Sequence, residues 1–204
     1  MSFTPDAYLP RAVANFPVLI VPGLRNSDDR HWQSLWQAQL PHSKRIHVDD
    51  WDTPNLSAWR AGIKEELDKL DKPAVLIAHS FGTLASASIA AEFPEKVAAI
   101  LLVAPADPDK FGISHQLPQD FLPVAARIIA SSNDPWMSER KAAYWALLWG
   151  ADYLRIKNLG HINSDSNLGL WPEGMRQLQQ LIRKTKASLK LPTLTTDFSL
   201  PKAV

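Results

Sequence analysis

Cysteine is missing from the chain altogether, which removes disulfides, thiolate metal sites and a thiol nucleophile from consideration. Its absence leaves the compartment open. Glycine is scarce, at 8 residues in 204, and no glycine-rich loop follows an apolar strand-like run, so no phosphate cradle is read. No hydrophobic run approaches the roughly 20 residues that cross a bilayer. Neither sign of charge dominates: Lys and Arg number 22 against 21 Asp and Glu, a net charge of +1. No basic stretch suits nucleic acid or an acidic membrane, and neither partner is expected. The 6 histidines show no His-Glu-x-x-His spacing, and the one close pair, His161 with Asp165, reads as loop neighbours rather than a ligand set. No metal is expected. Residues 1–16 lack both the basic start and the apolar core of a secretory signal, so the expected location is cytoplasmic.

What is present is enough apolar content, 46%, to bury one sizeable core, in a chain too short for two ordinary domains. The expected organisation is an extension over 1–16, a domain over 17–186 and a loose tail over 187–204 in which Pro192, Pro201 and several threonines fall. Short apolar runs at 17–21, 43–48, 74–78, 97–103, 124–130 and 151–157 read as six strands. Between them, Trp59, Ile63, Leu67 and Leu70 recur at helical spacing, as do Leu178, Leu181 and Ile182 further on. That alternation builds an α/β fold with a mostly parallel six-stranded sheet flanked by helices.

The chemistry concentrates where the third strand meets a small-residue helix, at Ala78-His79-Ser80-Phe81-Gly82. A serine hydroxyl is a weak nucleophile unless a sharp turn thrusts it out beside a base, and such a turn needs small flanks. Ala78 and Gly82 provide them, although Ala78 carries a methyl where the usual pattern has glycine. The helix starting after Ser80 aims its N–H groups and positive dipole end at the reacting centre. Downstream, the fifth strand empties into Ser131-Ser132-Asn133-Asp134-Pro135-Trp136 and the sixth into Asn158-Leu159-Gly160-His161. Ser80, Asp134 and His161 thus follow the order nucleophile, acid, base on successive strand ends, and are the candidate catalytic residues. Asp107, Asp109 and Asp165 are the competing acids. His79 is assigned no catalytic part.

Substrates of open parallel sheets bind beyond the carboxyl ends of the strands. The oxyanion donors are therefore expected to be the backbone N–H groups of Phe81 and of Leu24, the latter after Pro22-Gly23 at the end of the first strand. The chain holds 8 tryptophans. The pairs Trp32 with Trp36 and Trp145 with Trp149 sit one helical turn apart, a spacing that suits burial, whereas Trp32, Trp51 and Trp136 also border the expected site loops and are candidates to line a substrate pocket.

Taken with Val21-Pro22-Gly23, His31-Trp32-Gln33, Asp50-Trp51 with Pro54, Gly160-His161-Ile162-Asn163 and Gly169-Leu170-Trp171-Pro172-Glu173-Gly174, these motifs span roughly residues 17 to 185. The chain resembles the small serine hydrolase family of retinoblastoma-binding protein 9 and the bacterial YdeN-like proteins, within the α/β-hydrolases. The resemblance implies Ser80 as nucleophile, Asp134 as acid and His161 as base, tolerates alanine at position 78, and leaves the natural substrate open. A lidless single-domain enzyme follows, because the proline-broken 104–123 segment is a poor helical cap. The expected reaction is cofactor-free hydrolysis of a small ester, thioester or amide. Acyl transfer on the same residues, or a non-catalytic protein-binding module on the same scaffold, are the alternatives. The human relative's name suggests a partner-binding role through a Leu-x-Cys-x-Glu element, which the lack of cysteine excludes here.

Overall fold

In the computed structural model, which describes Val13 and residues 15–40 and 42–190, six strands form one sheet and every pairing is parallel. They are β1 (Val18–Val21), β2 (Lys44–Arg45), β3 (Ala74–His79), β4 (Val97–Val103), β5 (Ala125–Ser131) and β6 (Asp152–Ile156), in the spatial order β2-β1-β3-β4-β5-β6. Among the described residues, five helices cover it: α1 (Trp32–Gln39), α2 (Leu56–Asp68), α3 (Phe81–Glu92), α4 (Glu139–Leu148) and α5 (Pro172–Lys190). Among the described residues no helix is long and apolar enough to cross a membrane.

A parallel sheet buried on both faces needs strands that are apolar at every position, and β1 and β3 are buried throughout. Alternate side chains feed two cores. Leu19, Leu76, Ala78, Ile100 and Ile128 pack under α2, α3 and α4, while Ile20, Val75, Ile77, Leu101 and Ile129 pack under α1 and α5. Each fully buried Leu or Ile contributes about 1.5–3 kcal/mol of transfer free energy. Helix α3 is buried along nearly its whole length, which explains its run of small and apolar residues without an amphipathic stripe. The more exposed α2 and α4 begin on side-chain caps, Asn55 accepting from the Ala58 N–H and Ser138 from the Lys141 N–H.

The chain steps from β1 outward to β2, then crosses back over β1 to β3 and continues to β6. The direction of winding reverses between β1 and β3, and the loop after β1 and the turn after β3 face each other across that switch point. Three expectations need correction. The second strand is far shorter than 43–48, because beyond Arg45 the chain keeps only the Ile46 N–H to Ile20 O bond and then buries Ile46 and Val48 in the core without ladder pairing. The extension is not wholly separate, since Val13 is buried in the second core and Phe16 packs beside it. Helix α5 continues past residue 186 to Lys190; the rest of the expected tail, and residues 1–12, lie outside the described residues. Between β4 and β5 only the short helical turns Pro108–Phe111 and Ser114–Gln116 occur, so no helical cap is inserted there.

Candidate active site

Ser80 sits between β3 and α3 with φ 51° and ψ −123°, a left-handed conformation that costs a non-glycine residue about 1–3 kcal/mol. Its surroundings hold it there. The Ser80 N–H donates to Val103 O at 3.1 Å, and its carbonyl accepts from the N–H groups of Thr83 and Ala106 and from the Thr83 hydroxyl. Gly82 lets α3 press against the end of β1: a Cβ there would lie 2.4 Å from Pro22 O and 2.5 Å from Val21 O. Both carbonyls are tied off by buried side chains, Pro22 O by Trp59 Nε1 at 2.9 Å and Val21 O by Gln33 Nε2 at 3.3 Å. Gln33 Nε2 also donates to Ile77 O at 2.8 Å, so one amide links the ends of β1 and β3.

His161 presents Nε2 to Ser80 Oγ at 2.8 Å and Nδ1 to the Asp134 carboxylate at 2.8 and 3.0 Å. The acid is nearly inaccessible, with 2% of its side chain exposed, and its Oδ1 also accepts from the Trp136 N–H. The competing acids are elsewhere. Asp107 and Asp109 pair with Lys141, and Asp165 stays beside Asn163. The loop bearing His161 is itself strained, with Ile162 at φ 49°. It is pinned by Asn133 Oδ1 accepting from Gly160 N–H, by Trp32 Nε1 donating to Ile162 O, and by His79 Nε2 donating to His161 O.

Leu24 borders the same cleft. Its loop is set by the Arg25 N–H donating to Trp51 O at 2.8 Å, and Gly23 lies so close to the turn that a Cβ would come within 2.7 Å of Ser80 Cβ and 3.2 Å of the Phe81 nitrogen. The cleft has a volume of about 630 Å³, and Phe111, Ala106 and Trp136 contribute apolar wall. Of the three tryptophans expected at a pocket, Trp136 alone reaches it. Trp32 is buried against Trp36 and Trp171, where its indole N–H finds the Ile162 carbonyl. Trp51 packs edge-on against Trp59 under the first loop and offers the site only its backbone carbonyl. Gln33, Asn133 and His31 escaped the sequence reading of the site; His31-Trp32-Gln33 was visible there only as a shared motif.

His31 packs edge-on against His79, and His79 packs at a tilt against His161, with ring centroids 4.7 Å apart for the first pair and 5.0 Å for the second. Burial pushes His31 down to about 4, Arg45 and His161 adding to it against Asp28. Burial, with His31 and His161, likewise holds His79 well below the ordinary imidazole range. The folded protein therefore binds fewer protons than the unfolded chain between about pH 6.5 and 4. Their contribution to stability is complete above that window and is lost as pH falls through it. Melting temperature should drop between pH 7 and pH 4.5. His31→Asn keeps a side-chain oxygen in place of the Nδ1 that caps Gln33 N–H and should flatten that drop, removing roughly 2 kcal/mol of the stability lost between pH 7 and pH 4.5. An unchanged slope in that variant would reject the assignment.

The geometry brings a hydroxyl, an imidazole and a buried carboxylate into one hydrogen-bonded line at the carboxyl edge of a parallel sheet, and among the described residues no group of three or more His, Asp and Glu could hold a metal ion. The serine hydrolase family model matches residues 18–180. The chain belongs to that family. A YdeN-like hydrolase of Pectobacterium atrosepticum shares 36% identity with this serine hydrolase over 89% of the present chain and 98% of its own, with a TM-score of 0.84. The YdeN gene product of B. subtilis superposes at a TM-score of 0.70 with 19% identity, covering 83% of this chain and 100% of its own. The Bacillus cereus carboxylesterase does so at 0.58 with 17% identity, covering 85% and 90%. No curated protein matches the chain by sequence.

Proposed function

We propose that this serine hydrolase cleaves a small ester, thioester or amide through an acyl-enzyme on Ser80. The observation that carries the reading is the continuous line from Ser80 Oγ to His161 Nε2 and from His161 Nδ1 to Asp134, with both end contacts at 2.8 Å. His161 takes the hydroxyl proton as Ser80 Oγ bonds to the substrate carbonyl carbon, and Asp134 fixes the tautomer and stabilises the cation that forms. The Leu24 and Phe81 N–H groups hold the oxyanion. Collapse breaks the bond to the leaving group, which departs with the proton from His161. Water, giving its proton to the same imidazole, then releases the acid and restores Ser80.

A cleft of this size without a helical cap over it suits compact acyl groups, with no jump in rate when the substrate forms an interface. Treatment with a fluorophosphonate should add one adduct by intact mass, absent from Ser80→Ala, and 4-nitrophenyl esters should be hydrolysed best at the short end of an acetyl-to-palmitoyl series. Labelling that survives Ser80→Ala would remove the nucleophile assignment. Rates climbing toward palmitoyl would remove the short-acyl one.

A further inference from the structure

β5 and β6 stop pairing at Ser131 and Ile156, and the last main-chain bond between them runs from the Ser132 N–H to Ile156 O at 2.9 Å. Side chains take over from there. Ser132 Oγ accepts from the Asn158 N–H at 3.0 Å, Ser131 Oγ from the Leu159 N–H at 2.9 Å and Asn133 Oδ1 from the Gly160 N–H at 2.8 Å. The next residue, Asp134, accepts from His161 Nδ1. Each of residues 131–134 thus holds one of residues 158–161. The clasp is also tied internally, the Ser131 hydroxyl donating to Asn133 Oδ1 at 2.9 Å and the Ser132 hydroxyl to Asn158 Oδ1 at 3.2 Å.

The shape of the base loop calls for such partners. Its φ is positive at alternate residues, 57° at Asn158, 58° at Gly160 and 49° at Ile162, and that alternation turns successive N–H groups toward one side, where they need acceptors. Asn158 and Ile162 are not glycine, so the conformation persists only while its surroundings over-determine it. Trp32 on α1 and His79 on β3 grip the same loop differently, by the carbonyls of Ile162 and His161. We infer that Ser131, Ser132 and Asn133 are positioning residues for the acyl-enzyme reaction proposed above, on which this inference rests: they keep the His161 ring in register with Asp134. Acid and base are then set by one clasp, and the nucleophile lies outside it. None of the three lines the cleft, so loosening the clasp leaves substrate contacts alone and acts on proton transfer, where a displacement of about 1 Å can cost on the order of a hundredfold in rate.

The test compares Asn133→Ala, which removes the acceptor, with Asn133→Asp, which keeps an oxygen in its place; residue 133 is exposed, so neither change empties the core. On 4-nitrophenyl acetate the alanine variant should lose about thirtyfold in kcat with KM within about twofold of native, and the aspartate variant should recover most of the loss. The proton resonance of His161 Nδ1–H, identified by its disappearance in His161→Gln, should move or broaden in Asn133→Ala and return in Asn133→Asp. Ser131→Ala should also be slow, and combining it with Asn133→Ala should add little, because either change opens the same hydrogen-bonded unit. A purely structural part would lower the melting temperature and leave kcat and the resonance in place. That outcome, a loss confined to KM, or losses that multiply in the double variant would overturn the inference. The rate at which a fluorophosphonate labels Ser80 separates the two readings. If every variant labels at the native rate, the clasp falls and the hydrolase reading stands; if native Ser80 takes no label, the hydrolase reading falls and takes the inference with it.

Discussion

Asp134→Asn should lower turnover by about four orders of magnitude while leaving the far-ultraviolet circular dichroism unchanged. The cause is a tautomer. Asp134 Oδ1 accepts from the Trp136 N–H at 2.9 Å and its other oxygen from His161 Nδ1 at 2.8 Å. An asparagine keeps its single acceptor on the Trp136 N–H and turns its NH₂ toward the imidazole. His161 Nδ1 then has to accept, the ring proton moves to Nε2, and the nitrogen facing Ser80 can no longer take the hydroxyl proton. Initial rates on a short 4-nitrophenyl ester measure the effect. A loss below about tenfold would mean that the carboxylate does not set the tautomer.

Gly23→Ala should cost about two to three orders of magnitude in kcat, because the added methyl enters the space between the loop after β1 and the turn after β3. The methyl would stand 3.2 Å from the Phe81 nitrogen and 2.7 Å from Ser80 Cβ, so it spreads the two proposed oxyanion donors apart. Leu24→Pro, which deletes one donor outright, should fall into the same range. Leu24→Ala, which keeps the N–H, should lose far less. Equal losses in the proline and alanine variants, with the fold intact, would mark Leu24 as a pocket side chain instead of a donor.

Much of this arrangement was legible because strand ends in a parallel sheet are also site positions. β4 runs over 97–103 as its apolar pattern predicts, and Ser80, Asp134 and His161 could be singled out by the loops they occupy. What escaped depends on contacts distant in sequence. Gln33, visible in the sequence only as part of a shared motif, is fully buried, because the carbonyls of Val21 and Ile77 need a donor that only folding brings near. Trp32 lies next to the right loop, but its indole N–H is claimed by a carbonyl 130 positions away, and nearness to a motif could not predict that. The short β2 misled for a related reason: apolar alternation reports burial, and Ile46 and Val48 are buried by packing rather than by pairing.

Gly23 and Gly82 together divide the site into parts with opposite tolerance for divergence. Beneath the cleft, backbone meets backbone so closely that a single methyl group has nowhere to go, and no compensating change of a neighbouring side chain can make room. Around the rim, Phe111, Lys110, Trp136 and Asp165 line the cleft. Replacing a rim side chain should therefore alter which substrates fit while the fold stands, whereas adding a methyl group below should damage the turn itself.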